Sequence, residues 1–244
     1  MQRAGEAIFL RALGHGEHAA IARLFMRCEG VVATYVHGGQ SRRSRALLSP
    51  GNLLFVDLTV RAEGRMPQAR LELLKSRSAF AFDPLRLALV EWVASLIADT
   101  LPEQEAHEDL YDGLSALLSL MDTEASTEQL GSALAHLELA LLRDLGFRLD
   151  LTRCAATGDT NDLAYVSPRT GRAVGREAGA PFAERMFALP AFLHGGSAAP
   201  APGDAVAALR LTRHFIERDL LSHGRGERLA AARDRVDARL AALS

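Results

Sequence analysis

Apolar side chains recur at every second position up to about residue 78 and at helical spacing after Asp83-Pro84. This switch of period constrains the fold more than any other feature of the chain. Ala20, Ala22, Leu24, Met26 and Cys28 share one face of a strand, against Ile21, Arg23, Phe25 and Arg27 on the other. Gly30 breaks that strand and Val31 to Val36 begins the next. Leu54, Val56, Leu58, Val60 and Ala62 alternate against Phe55, Asp57, Thr59 and Arg61. After Gly64 and Pro67, Ala69, Leu71 and Leu73 alternate against Gln68, Arg70 and Glu72. A first strand near Ala7–Leu13 makes five short strands, which predicts a small barrel or sandwich. A five-stranded barrel of the OB type has this size and strand count.

The helical half is punctuated in the way helix ends require. Asp83 is a good N-cap, and Pro84 suits a first helical position. Leu85, Leu89, Trp92, Val93 and Leu96 follow at helical spacing, and Leu110, Leu114, Leu117, Leu118 and Met121 make a second helix. Ser126 to Gln129 is a capping-box pattern, opening a third helix with Leu130, Leu134, Leu137, Leu141 and Leu145 on one stripe until Gly146 stops it. Residues 151–200 read as irregular, with a loop from Gly195 to Pro202. Two further helices are expected, from about Asp204 to Leu221, stopping near Gly224, and from Gly226 to Ala242. The fold class is α+β: a barrel domain over 1–78, an acidic helical bundle over 79–150, an irregular insert over 151–200, and C-terminal helices packing on the bundle over 201–244.

Charge separates the same segments. The 244 residues carry a net charge of −2, but residues 1–78 sum to +6, 79–150 to −11 and 151–244 to +3. Of 28 basic residues, 27 are Arg, which genomic base composition explains, so the usable signal is their uneven placement. The first segment is built to meet polyanions and the middle one to repel them. With 48% hydrophobic and 24% charged residues the chain is expected to fold as a soluble globular protein. Leu85 to Leu101, its most apolar stretch, is interrupted by Arg86, Glu91 and Asp99, so no membrane association is expected. The opening residues lack an apolar run ending in a small-residue cleavage site, and Cys28 and Cys154 form no disulfide framework; both features predict a reduced, cytoplasmic protein.

No nucleophile elbow, P-loop, His-Glu-x-x-His or Gly-x-Gly-x-x-Gly motif is present. His15 and His18 read as exposed residues of a Gly-rich turn, Asp159 to Asp162 as a polar turn, and Cys154 as an inert thiol. The sharpest local feature is Ser41-Arg-Arg-Ser-Arg45. Arg42, Arg43 and Arg45 are expected on a loop between the third and fourth strands, where guanidiniums suit bidentate phosphate contact. Arg23, Arg27, Arg61 and Arg70 lie on the polar faces of their strands and extend that surface, with Tyr35 and Phe25 at positions from which to stack on bases. A second basic face, Arg228, Arg235 and Arg239, shares the last helix with an adjacent apolar stripe of Leu229, Val236, Leu240 and Leu243. It is suited either to DNA or to the acidic bundle of the same chain.

Several stretches in order resemble the RecO family of DNA-repair and recombination mediators. They are Glu6-Ala-Ile-Phe-Leu-Arg11, Gly16-Glu17, Phe25 to Gly30, and the Gly-then-basic segment running into Leu47 to Pro50. Leu137 to Phe147 with Cys154 close behind, Ser167-Pro168, and the Thr212 to Leu221 helix complete the pattern. The resemblance implies an N-terminal OB fold, a helical bundle and, in many members, a zinc module of two Cys-x-x-Cys pairs. Here Thr157 replaces the second Cys and Ala173 to Ala178 holds none. No metal or other cofactor is therefore expected, and Phe182, Met186 and Phe187 are expected to hold the insert by packing.

The resemblance further implies a non-enzymatic mediator that binds single- and double-stranded DNA and anneals strands. Such a protein helps RecR load RecA onto DNA coated by single-stranded DNA-binding protein, at the nucleoid. It also implies a pocket for the acidic, aromatic-ended tail of that coating protein, placed here beside Leu137 and Leu141 with Arg143 or Arg148 as the cation. Two other readings remain: an OB-fold protein-interaction scaffold without significant DNA binding, and an enzyme whose site uses His107 or His136 near bundle carboxylates.

Overall fold

A computed structural model describes residues 2–62, 64–194, 199–221 and 226–242, apart from the side chains of Gln2 and Arg43. The chain divides into two compact units, residues 1–122 and 123–244.

The first unit holds a closed barrel of five strands in the order β1-β2-β3-β5-β4. These are β1 (Gln2–His15), β2 (Ala19–Met26), β3 (Gly30–Val36), β4 (Leu53–Thr59) and β5 (Gln68–Lys75). β1 closes the barrel because its 14 residues serve two partners: Gln2–Ile8 pair with β4 and Ala7–His15 with β2, across a bulge between Phe9 and Arg11. β3 and β5 meet in parallel at Tyr35 and Gln68. The alternation read in the sequence sorts correctly, since Phe9, Ala22, Leu24, Val32, Leu54, Val56 and Leu58 fill the interior.

Ile8, Leu10 and Phe25 point outward and are buried all the same. α2 (Pro84–Thr100) packs on β1, and Tyr111 of α3 (Glu108–Met121) sets its ring edge-on to Phe25 at 5.4 Å. The two helices expected in a separate acidic bundle thus belong to the barrel unit. α2 buries residues around its whole circumference, as a helix inside a unit must. The Asp83 cap operates as expected, its Oδ1 accepting from Leu85 N at 2.9 Å and Arg86 N at 3.0 Å. The segment before α3 is drawn against β3. Gln104 N donates to Val31 O, and a Cβ on Gly30 (φ +70°) would stand 1.7 Å from the Glu105 carbonyl.

The segment expected as a basic loop is a short helix, α1 (Arg42–Leu47). Ser41 caps it, accepting from Ser44 N. The buried Asn52 amide donates to Ala46 O and Leu47 O while its oxygen accepts from Arg77 N. Six residues with one apolar pair give no readable period, so the helix rests on these caps.

The second unit contains α4 (Thr127–Asp144), α5 (Arg176–Gly179), α6 (Asp204–Asp219) and α7 (Gly226–Ala241). Both halves of the Ser126–Gln129 capping box form, and Gly146 (φ +88°) follows the end of α4. α4 packs on α6, whose N-terminus is satisfied by Glu128: its carboxylate accepts from Gly203 N and Ala205 N at 2.8 and 3.0 Å. The insert is less irregular than its sequence. It forms a small sheet in the order β7-β6-β8 from β6 (Leu163–Val166), β7 (Ala173–Gly175) and β8 (Phe187–Ala188). Phe187 packs on His214 and Phe215 as expected, but Phe182 stands exposed and contributes no core. The expected turns at Gly195 and Gly224, and Leu243 of the last stripe, lie outside the described residues.

Candidate nucleic-acid interface

The charge separation seen along the sequence is largely cancelled within each unit, which sums to −2 for residues 1–122 and zero for 123–244. The cancellation is local. Arg11 pairs with Asp99 at 2.8 Å, Arg23 with Glu103 at 3.1 Å, and Lys75 with Asp122 at 2.6 Å. Arg27 makes a bidentate pair with Asp112 at 3.0 and 2.9 Å and also meets Glu108. This arrangement holds the Asp112 carboxyl below the usual carboxylate range. Arg23 and Arg27, expected to face DNA, are thus engaged by α3 and the segment before it. Phe25, expected to stack on bases, lies under Tyr111.

Other candidate cations remain open. Arg42 and Arg45 on α1, and Arg61 and Arg65 between β4 and β5, are exposed and make no ion pair with a described residue. Arg70 lies opposite Asp57 in the β4–β5 register. The Arg43 side chain lies outside the described residues. Arg61 and Arg65 border a cleft of about 750 Å³ together with Arg3, Met66 and Gln104, and Ala33 of β3 forms part of its wall. Sequence reasoning missed Arg65, which the Gly64–Pro67 turn signal would have placed on an exposed loop. α1 is anchored beside the β1–β2 turn, because Gln40 Nε2 donates to Gly16 O at 2.8 Å and Ala19 O at 3.1 Å. Tyr35 is half-buried on the outward face of β3, and His15 and His18 are exposed as expected.

In the second unit, Arg228, Arg235 and Arg239 lie exposed along α7, opposite the buried Leu229, Val236 and Leu240. Two cations that the sequence reading missed tie α4, α6 and α7 together. Arg233, fully buried, pairs with the equally buried Glu138 and donates to Leu209 O at 2.6 Å. Arg213 meets Glu217, Asp234 and Asp237, each at 2.7 Å. Leu137 and Leu141, expected beside a tail pocket, are buried in the core; Arg143 pairs with Asp144, and Arg148 is exposed. A cleft of about 670 Å³ opens elsewhere, between Met186, Phe187 and Val206, with Arg185 and Arg210 at its border. His107 falls in the first unit and His136 in the second; burial lowers the His136 pKa below its ordinary value.

The residues at the zinc-module position do not fit a zinc ion. Cys154, Thr157, Gly175 and Ala178 line one cavity of about 460 Å³ at the spacing of two Cys-x-x-Cys pairs, with one thiol among them. That thiol is already satisfied. The Thr157 hydroxyl and the backbone N–H of Gly175, which lies 3.2 Å from Cys154 Sγ, hold its pKa down to about 7. Among the described residues no group of three metal-ligating side chains occurs, and no helix is long and apolar enough to cross a membrane.

A closed OB-type barrel bearing exposed arginines, joined to a helical unit with a single thiol at the zinc-module position, defines an α+β protein of OB-barrel and helical-domain architecture. Comparison with known proteins narrows this. The family model described as "Recombination protein O C terminal" matches residues 81–228. The DNA repair protein RecO of Rhodospirillum centenum is 43% identical over 238 residues, 96% of this chain and 93% of that one. Those of Caulobacter vibrioides and Rhizobium etli are each 40% identical, covering 89% and 100% of this chain and 88% and 94% of theirs. The chain belongs to the RecO family, and its role lies in DNA repair and recombination.

Proposed function

We propose that the chain is a DNA-binding recombination mediator without catalytic chemistry of its own. It binds single- and double-stranded DNA, anneals complementary strands, and acts with RecR to load RecA onto DNA coated by single-stranded DNA-binding protein, in the cytoplasm at the nucleoid. The observation that supports this reading is the set of exposed arginines that make no ion pair with a described residue, Arg42, Arg45, Arg61 and Arg65, on a barrel where Arg3, Arg11, Arg23, Arg27 and Lys75 are paired. An unpaired exposed guanidinium meets a phosphate without first breaking an ion pair. Arg43 sits on the same helix, and Arg70 extends the surface along β5. Arg23 and Arg27 act by fixing α3 and its leading segment.

Annealing needs no bond to be made or broken in the protein; neutralised phosphates let two strands approach and pair. Arg228, Arg235 and Arg239 offer a second strand or a duplex another basic face. For the acidic, aromatic-ended tail, the cleft between Phe187 and Val206 supplies an apolar floor with Arg185 and Arg210 as cations. An annealing assay with complementary fluorescent oligonucleotides tests the reading. The wild-type chain is expected to accelerate pairing, and Arg42→Ala/Arg45→Ala/Arg61→Ala/Arg65→Ala to lose most of that acceleration. A wild-type chain that binds no oligonucleotide at low salt would leave a protein-interaction scaffold in its place.

A further inference from the structure

The outer face of β1, β2 and β3 is covered over one half only. α2 and α3 bury Ile8, Leu10 and Phe25, and the Arg11–Asp99 and Arg23–Glu103 pairs mark where the cover ends. Beyond that line, Leu13, Ile21 and Tyr35 form a cross-strand row. Their sequence neighbours Ala12, Ala22 and Val36 face the barrel interior, so these three point outward. Leu13 is 60% exposed, and Ile21 and Tyr35 are half-buried.

Tyr35 stands between two exposed imidazoles. His15 lies 5.8 Å from its ring centre at 80°, and His37 lies 4.7 Å away at 74°. Leu13, His15 and His37 are exposed and Ile21 and Tyr35 only half covered, so much of this row is open to solvent. Their surroundings state what would cover them. The Arg61–Arg65 cleft begins at Ala33, the next outward residue of β3. On the other side, Gln40 ties the start of α1, with Arg42 and Arg45, to the β1–β2 turn. An acid is also present there: Glu17 in that turn, 3.9 Å from His18 Nε2.

The geometry points to a base-stacking platform for single-stranded DNA on Tyr35, His15 and His37, with Leu13 and Ile21 as its apolar floor. The inference rests on the DNA-binding reading above and adds which part of the DNA meets this face. Phosphates take the flanking arginines, and unpaired bases take the rings. A duplex keeps its bases stacked on one another and has none to offer, so the platform gives preference to single strands.

The test compares two oligonucleotides of equal length and phosphate count, one with normal bases and one with abasic sites at its centre. The full wild-type chain is expected to bind the base-bearing strand about tenfold more tightly, the worth of roughly one stacked base. His15→Ala/Tyr35→Leu/His37→Ala is expected to bind both strands equally, with the salt dependence of binding unchanged. His15→Ala/His37→Ala, which alters only exposed side chains, is expected to fall between. If the wild-type chain binds both strands equally, the platform is wrong while DNA binding stands. If the triple variant keeps the preference, the bases sit elsewhere and the platform is wrong. If the wild-type chain binds neither strand, the DNA-binding reading and the platform fail together.

Discussion

Arg233→Met tests how the second unit holds α7, and with it the basic face of Arg228, Arg235 and Arg239. Arg233 and Glu138 are each only 1% exposed, and the guanidinium also donates to Leu209 O at 2.6 Å and to Asp237 at 3.1 Å. Met matches the length of the aliphatic stem and removes the charge. It leaves the Glu138 carboxylate buried with the Thr212 hydroxyl as its remaining donor among these groups. Removing one partner of a buried ion pair costs about 3–5 kcal/mol. At about 2–4 °C per kcal/mol for a chain of this size, the melting temperature should fall by roughly 6–20 °C. Glu138→Leu/Arg233→Met removes both charges and should recover most of the loss, because two apolar side chains of similar volume replace the pair. Urea unfolding followed by circular dichroism gives all three free energies. A loss below about 1 kcal/mol for Arg233→Met, or a double variant no better than the single, would show that the buried pair does not hold α7 in this way.

Three further outcomes follow from local geometry. Gly30→Ala places a Cβ 1.7 Å from the Glu105 carbonyl at a positive φ, so it should displace the segment that holds Glu103 on Arg23 and weaken the protection of β3 amides in hydrogen exchange. The Cys154 thiol is held near 7, below its ordinary 9.0, by Thr157 and the Gly175 N–H, so the folded chain binds fewer protons than the unfolded chain between those values. Stability should therefore rise with pH from about 7 to 9 and be lost again as pH falls through 7, a trend that urea midpoints should show for the wild-type chain and not for Cys154→Ser. Thr157→Cys/Gly175→Cys/Ala178→Cys completes two Cys-x-x-Cys pairs around one cavity and should bind one zinc per chain by elemental analysis; no bound zinc would show that the cavity no longer has tetrahedral geometry.

The parts of the fold that were legible are those with a period or a cap. Alternation over Ala20–Cys28 and Leu54–Ala62 gave the barrel walls, and Asp83-Pro84 and Ser126–Gln129 gave two helix starts at their observed residues. What escaped was either short or long-range. α1 has six residues and β6, β7 and β8 have two to four, too few for a period. The pairing of Arg11, Arg23 and Arg27 with Asp99, Glu103 and Asp112 spans about 80 residues and leaves no local trace. One signal did exist: Ile8 and Leu10 alternate with Ala7 and Phe9, so β1 is apolar on both faces and requires an outer layer. That doubled pattern separates the half of the barrel that binds its own helices from the half left open. The basic charge of residues 1–78 was read correctly as a sum, while its division into paired and open arginines needed the structure.

If the open arginines carry DNA and the paired ones do not, the salt dependence of binding to a fluorescent single strand must separate the two sets. The comparison is between Arg42→Ala/Arg45→Ala/Arg61→Ala/Arg65→Ala and Arg23→Ala/Arg27→Ala. The slope of log affinity against log salt should fall by about 0.7 for each phosphate that a variant no longer neutralises, so by up to roughly 2.8 in the first variant. It should stay within about 0.7 of the wild-type value in the second, whose cations are held by Glu103, Glu108 and Asp112. Equal falls in the two variants, or the larger fall in the second, would mean that the paired arginines leave their carboxylates to meet DNA and that the open set is not the interface.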